Sequence, residues 1–234
     1  MGRNPLYYKR KRNRERGNAM YDVIVLGATF AAAGIAQQHK EKCLVIERGT
    51  QAGYEFFGAL NFAVAETEIY SHFKSCHTLF GTELVSVEKT DDGFGCVTHG
   101  VQGFYTYYAK KVIDTRSNAE MSLSKSYNLL IDSKEEPAFS NLHWEKTKGE
   151  NRYIVYCPVP LSYGYAEARA AVQGIIEQFS ETQRLIFSAY EFDYHIKEGY
   201  PKTQDGILYL PSKAYENPGL AVAAGLEAGE KVSK

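Results

Sequence analysis

The first strong hydrophobic pattern falls between Tyr21 and Gly49, where two short apolar runs bracket a segment of small and apolar residues at helical spacing. Val23 to Leu26 is a continuous β-branched and aliphatic run, the pattern of a strand covered on both faces within a parallel sheet. Gly27 ends it. Phe30 to Lys40 alternates small and apolar positions at helical spacing, and Cys43 to Ile46 predicts a second strand that stops at Glu47. The stretch reads as one strand, helix and strand unit.

Beyond it, Arg48 to Leu60 is a loop punctuated by Gly49, Gly53 and Gly58, and Asn61 to Phe73 returns to helical apolar spacing. Three strand-like runs follow, Glu83 to Glu88, Phe94 to Thr98 and Phe104 to Tyr108. Asp91, Asp92 and Gly93 make the first turn between them and Gly100 to Gly103 the second, so a β-meander is predicted. It feeds into Lys111 to Thr115, a short buried strand followed by Arg116, Ser117 and Asn118.

From residue 119 to 199 the composition shifts toward Tyr, Phe and Ile on extended runs. Lys125 to Asp132, Leu142 to Lys146 and Tyr153 to Val159 predict antiparallel strands, Tyr163 to Phe179 an amphipathic helix, and Arg184 to Ile196 another strand. Gly206 to Pro211 predicts a last strand. Asn217 then stands as N-cap before Pro218, and Ala and Leu spacing continues to Lys231. The expected fold class is therefore α/β. A Rossmann-like domain with a β-meander comes from residues 20–118 and 200–234, and a small antiparallel α+β cap domain from 119–199.

Composition narrows the class without changing it. The longest apolar stretches are strand-sized, which argues against a membrane span and against a signal peptide. Cys43, Cys76, Cys96 and Cys157 are far apart with no CxxC, so neither a zinc site nor a disulfide framework is expected, and a reducing cytoplasm fits. The net charge of -1 hides an asymmetry, because residues 1–19 carry seven Lys or Arg against Glu15 alone. That basic stretch has too little apolar surface to fold by itself and is expected to be a disordered arm. Nothing in the rest of the chain adds a basic patch that would support nucleic-acid binding.

The candidate chemistry lies in the first unit. Glu47 stands twenty positions after Gly27, a spacing that puts a pyrophosphate on the helix N-terminus and the carboxylate on an adenosine ribose. In a GxGxxG reading the three positions are Gly27, Thr29 and Ala32, so only the tight-turn glycine is kept. An ordinary unit of this kind without a ligand is the bland alternative. Loops at the carboxyl ends of parallel strands face the ligand, which brings in Gly53, Tyr54 and Glu55.

With those residues in order, the chain resembles the flavoproteins of the glutathione-reductase type, FAD-dependent oxidoreductases with a dinucleotide cradle. In that family a cradle is followed by a meander such as TELVSVEKTDDGFGCVTHG and a strand ending like VIDTRS. GILYLP and NPGLAVAAGLEAGEKV resemble its closing strand and helix, the helix pointing its positive end at the flavin ring. The resemblance implies FAD held by Gly27, Ala28, Thr29, Phe30, Ala31, Glu47, Arg48, Tyr54 and Glu55. Leu84, Val85, Asp114, Thr115, Ser212, Asn217, Gly219 and Leu220 complete the implied set. The departures are Thr29, Arg116 where a glycine is usual, and Pro211 and Ser212 in place of Gly-Asp.

The function so implied is hydride transfer between a substrate and flavin N5, with an acid or base of the chain within reach. Lys213 and Tyr215 lie nearest the flavin by family position, and His143 and His195 of the cap are further candidates. No histidine pair has metal spacing, so no metal is expected. A nicotinamide enzyme would continue with alternating strands and helices, which this chain does not. The substrate is expected to be a small molecule. The alternative is a flavoprotein subunit or maturation enzyme working on or with a protein partner. The short cap further implies a homo- or hetero-oligomer that docks on an aromatic surface containing Tyr153, Tyr163, Tyr190 and Tyr194.

Overall fold

The computed structural model describes residues 20–60, 69–139 and 141–232. The predicted N-terminal arm lies outside them, as does most of the predicted Asn61–Phe73 helix. The chain opens with β1 (Met20–Leu26), α1 (Phe30–His39) and β2 (Cys43–Ile46), and the two strands are parallel, with Val23 beside Cys43 and Leu26 beside Ile46. A one-turn helix α2 (Tyr54–Phe57) and α3 (Ile69–Phe73) lead to β3 (His77–Leu79), which extends the sheet in parallel beside β2.

The meander forms as β4 (Glu83–Thr90), β5 (Gly93–Gly100) and β6 (Gly103–Asp114). Here the structure corrects the sequence reading, because Phe104–Tyr108 and Lys111–Thr115 belong to one strand. The first half of β6 pairs antiparallel with β5, Phe94 opposite Ala109, and its second half runs parallel to β1, Leu26 beside Asp114. Ala109 and the lysines after it carry no turn signal, so nothing in the backbone chemistry breaks the strand.

The remaining strands are β7 (Ser122–Ser126), β8 (Leu129–Ser133), β9 (His143–Lys146), β10 (Arg152–Tyr156) and β11 (Pro158–Val159). After them come α4 (Tyr165–Ile176), β12 (Gln183–Ser188), β13 (Asp193–Ile196), β14 (Lys202–Gln204), β15 (Ile207–Tyr209) and α5 (Pro218–Val232). Strands β14, β15, β6, β1, β2 and β3 lie side by side in that order, with β5 also on β6 and β4 on β5. This is a mixed α/β architecture with parallel and antiparallel pairs in one sheet.

Residues 122–196 build two further sheets, β12-β8-β10-β9 and β11-β7-β13. Three runs predicted as single strands each divide between them. Lys125–Asp132 splits into β7 and β8, Tyr153–Val159 into β10 and β11, and Arg184–Ile196 into β12 and β13. The breaks meet at one corner, where Tyr127 N donates to Cys157 O at 2.9 Å and Ala189 N donates to Asn128 O at 2.9 Å. All four corner residues are buried, so the apolar pattern runs through the bend without interruption.

The core sheet is covered on both faces, as the unbroken runs of β1 and β2 require. Val23, Val25 and Val45 pack with Ile35, Phe56 and Ala221 on the helical side, while Ile24, Leu26 and Leu44 pack with Phe94 and Cys96 of the meander on the other. A separate core joins Leu129, Ile131 and Val155 of the four-stranded sheet to Ala168 and Val172 of α4. Among the described residues no helix is long and apolar enough to cross a membrane.

Candidate functional site

The turn between β1 and α1 is fixed from three sides. Gly27 has φ +90° and donates its N–H to Ile46 O at 2.8 Å. A Cβ there would come within 2.7 Å of the Arg116 side chain, so glycine is required on both conformational and steric grounds. From the end of β6, the Thr115 hydroxyl donates to Leu26 O at 2.8 Å and to Gly27 O at 3.2 Å. Thr29, which stands where the motif has its second glycine, is the N-cap of α1, its Oγ1 accepting from Ala32 N at 3.1 Å. The departure from the motif thus serves the helix.

Two carboxylates converge on this turn. Glu47, at the end of β2, accepts from Ala28 N at 2.8 Å and from Gly49 N at 2.5 Å. Gly53 bonds to Ala28 O at 2.8 Å in a left-handed conformation of φ +77°, and that reversal sets α2 under the start of α1. Glu55 of α2 therefore reaches the first amide of α1, accepting from Phe30 N at 2.8 Å and from the Ser212 hydroxyl at 2.9 Å. Burial pushes its carboxyl up to about 7, against the opposing effect of these hydrogen bonds and of Lys213.

A cavity of about 390 Å³ opens beside the turn. Ala28, Thr29, Glu47, Arg48, Tyr54, Glu55 and Leu84 of the predicted set line it, together with Arg116, Ser117, Asn118, Glu191 and Tyr194. Gly27, Phe30 and Ala31 do not line it. Among the described residues Ser117 Oγ, in the wall of this cavity, is buried with no hydrogen-bond partner.

Several predicted residues fall elsewhere. Val85 is 54% exposed, because alternation along β4 turns it away from Leu84. Asp114 is buried behind the cavity, where the Arg116 guanidinium holds both its oxygens, Nε to Oδ1 at 2.9 Å and Nη2 to Oδ2 at 2.7 Å. Thr115 and Ser212 are fully buried and act on backbone and Glu55. Asn217, Gly219 and Leu220 lie at the start of α5 outside both cavities, with Asn217 Oδ1 capping Leu220 N at 3.0 Å.

A second cavity, about 300 Å³, is lined by Lys125, Asp193, Tyr194, His195, Lys213, Tyr215 and Glu216. Tyr194 belongs to both cavities. Three of the four catalytic candidates, Lys213, Tyr215 and His195, are thus brought together, and His143 is not. His143 sits on exposed β9, stacked on Tyr156 with ring centroids 5.1 Å apart and 3.1 Å from Glu145. Lys213 is itself nearly buried, its ammonium 2.6 Å from Asp193 Oδ1 and 4.4 Å from the centre of the Phe56 ring. Tyr215 has its hydroxyl pushed up by burial and by Glu227.

Sequence reasoning missed Ser117, Asp193 and Glu191 as site residues. Asp193 and Glu191 were visible as the acids within an aromatic run, and Tyr165 donates to Glu191 at 2.6 Å. Ser117 carried no signal, since its role arises from what it fails to contact. The expected aromatic surface is also corrected. Tyr153 is buried and Tyr194 faces the cavities, leaving Tyr163 and Tyr190 exposed at 36% and 56%.

No family model and no curated protein matches the sequence. Solved structures do match in shape. A geranylgeranyl bacteriochlorophyll reductase-like protein from Thermoplasma acidophilum has TM-score 0.63 at 14% identity, over 91% of this chain and 78% of that one. The likeness is one of fold. An aromatic hydroxylase from angucycline biosynthesis matches with TM-score 0.58 at 12% identity, over 92% of this chain. Aklavinone-11 hydroxylase, solved with FAD and aklavinone, matches with TM-score 0.57 at 13% identity, also over 92%. The chain spans 63% of the length of each of these two hydroxylases.

Proposed function

We propose that the chain is an FAD-dependent oxidoreductase whose cofactor runs from the cavity beside Gly27 to the cavity beside Lys213. The observation that carries this reading is that two cavities, one beside the start of α1 and the other lined by Lys213, Tyr215 and His195, share Tyr194 as a lining residue. At the adenosine end the residues present fit. Gly27 gives the tight turn, Glu47 offers a carboxylate at the end of β2, and Ser117 Oγ lacks a partner. At the pyrophosphate end they conflict, because Glu55 already occupies the first amide of α1. FAD in the solved aklavinone-11 hydroxylase, whose fold is similar, adds support.

Bound flavin would supply two-electron redox chemistry, including the hydride transfer at N5 expected from the sequence. The chain contributes the walls and the proton-bearing groups. Lys213 is held by Asp193 rather than free, and Tyr194, His195, Tyr215 and Glu216 are further proton-bearing groups at the second cavity. The order of cradle, meander, closing strand β15 and helix α5 supports the narrower glutathione-reductase-type ground plan, and residues 119–199 serve as the cap domain in that plan. A small-molecule substrate suits the second cavity by size.

The experiment is direct. Purified protein incubated with FAD and passed through gel filtration should retain flavin absorbance, and a colourless protein overturns the reading. Exposed Tyr163 and Tyr190 favour a second reading, in which another copy or a different subunit completes the site. Light scattering on the flavin-loaded protein separates the two, a monomer excluding a second copy.

A further inference from the structure

The amide of Phe30 opens α1, and in a dinucleotide cradle this is the kind of donor that receives a phosphate oxygen. Here the seat is taken from within the chain. Glu55 Oε1 accepts from Phe30 N at 2.8 Å and from Ser212 Oγ at 2.9 Å. The donors on either side are engaged as well, Ala28 N by Glu47, Ala31 N by Ser212 Oγ and Ala32 N by Thr29. A pyrophosphate dianion and an ionised carboxylate cannot share this place without like-charge repulsion in a buried setting.

We propose that Glu55 is the gate of the phosphate seat: ionised, it competes with the dinucleotide for the Phe30 amide, and protonated, it gives way and donates a hydrogen bond to a phosphate oxygen. The inference rests on the FAD reading above and concerns a residue of this chain alone. Its geometry favours the two-state behaviour. The bonds from Phe30 N and Ser212 Oγ both end on Oε1, and the backbone amide of Glu55 itself also acts on the carboxylate. Glu55 is also tied to the turn through its own helix, because Gly53 at the start of α2 bonds to Ala28 O.

The charged surroundings do not fix Glu55 in either state. Lys213, from the Ser212–Ala214 turn, is the cation that acts on it, and that ammonium is already paired with Asp193 of β13. The first turn of α1, Phe30 to Ala33, brings no charge. Around the cavity that Glu55 lines stand Glu47 and Arg48 after β2, Glu83 of β4, Arg116 after β6 and Glu191 before β13, and Arg116 is bound to Asp114. Burial outweighs the favourable contacts and lifts the carboxyl to about 7, so both states are accessible near neutral pH.

The test is FAD affinity of the full chain, read by quenching of flavin fluorescence, from below to above about pH 7. Wild type should lose affinity by roughly tenfold per pH unit once Glu55 is ionised. The Glu55→Gln variant keeps an acceptor for Phe30 and Ser212, and it should bind with no such slope and more tightly than wild type at high pH. Adenosine, which has no phosphate, should bind wild type with the same dissociation constant at every pH, once its displacement of FAD is corrected for the FAD affinity at that pH, a control independent of any variant. A flat wild-type profile, an unchanged slope in Glu55→Gln, or a matching slope for adenosine overturns the gate while FAD binding stands. Absence of FAD binding by both proteins at every pH overturns the flavin reading and the gate together.

Discussion

Gly34 of α1 and Gly225 of α5 meet with no space for a methyl group between them. A Cβ on Gly34 would lie 2.2 Å from Val222 O, and one on Gly225 would lie 2.0 Å from Ala31 O. The atoms in the way are backbone, so neither helix can yield by a side-chain rotation. Gly225→Ala is expected to destabilise the fold by about 1–3 kcal/mol, the usual range for overpacking. A lower denaturation midpoint with the denaturant slope unchanged is the expected reading. Because Ala31 belongs to the first turn of α1, FAD affinity should fall in the same variant.

Glu47→Ala removes the acceptor for the Ala28 and Gly49 amides and the carboxylate proposed to meet the ribose. Loss of a hydrogen bond to a charged group is worth about 1.5–3 kcal/mol, or roughly ten- to a hundredfold in FAD affinity. An FAD titration that gives the wild-type constant would show that the carboxylate is not on the ribose.

Glu55 should also make folding stability depend on pH in the absence of any ligand. Its folded value, about 7, lies above the ordinary 4.5, so the folded chain binds the proton more tightly than the unfolded chain does. Stability from this group is complete below about pH 4.5 and is lost as pH rises through about 7, by a few kcal/mol at most. Denaturation of wild type and Glu55→Gln across that window checks it, wild type losing stability relative to the variant as pH rises toward and past about 7.

Lys213→Ala strands Asp193 in a nearly buried position, the two side chains being 8% and 17% exposed. Breaking such a pair from one side costs on the order of 3–5 kcal/mol. A double variant, Lys213→Met with Asp193→Leu, should recover most of that loss in thermal unfolding. His143→Ala, on an exposed strand outside both cavities, should change neither stability nor flavin affinity measurably.

Much of the sheet built around β1, α1 and β2 was legible because its signals are local. Gly27, the apolar runs of β1 and β2, and Asn217 with Pro218 each depend on neighbours within a turn or a strand, and each formed where expected. The corner through Tyr127, Asn128, Cys157 and Ala189 was not legible, because burial there comes from chain segments far apart in sequence. Glu55 shows the same limit within the site. Its place beside the turn between β1 and α1 could be read from the loop, but its bond to Phe30 N depends on where Gly53 turns the chain. Thr29 looked like a loss to the phosphate turn and proved to be a helix cap, a distinction that only the backbone angles of α1 make.

The continuity of β6 gives the meander a part in setting distances. One end of this twelve-residue strand is zipped to β5, and the other delivers Thr115 to the carbonyls of Leu26 and Gly27. A slip of one residue between β5 and β6 would move that end by roughly 3.3 Å and exchange the faces of Ala109 and Val112. The hairpin at Gly100 and Gly103 therefore works as the far mark of a ruler whose near mark is the turn at Gly27.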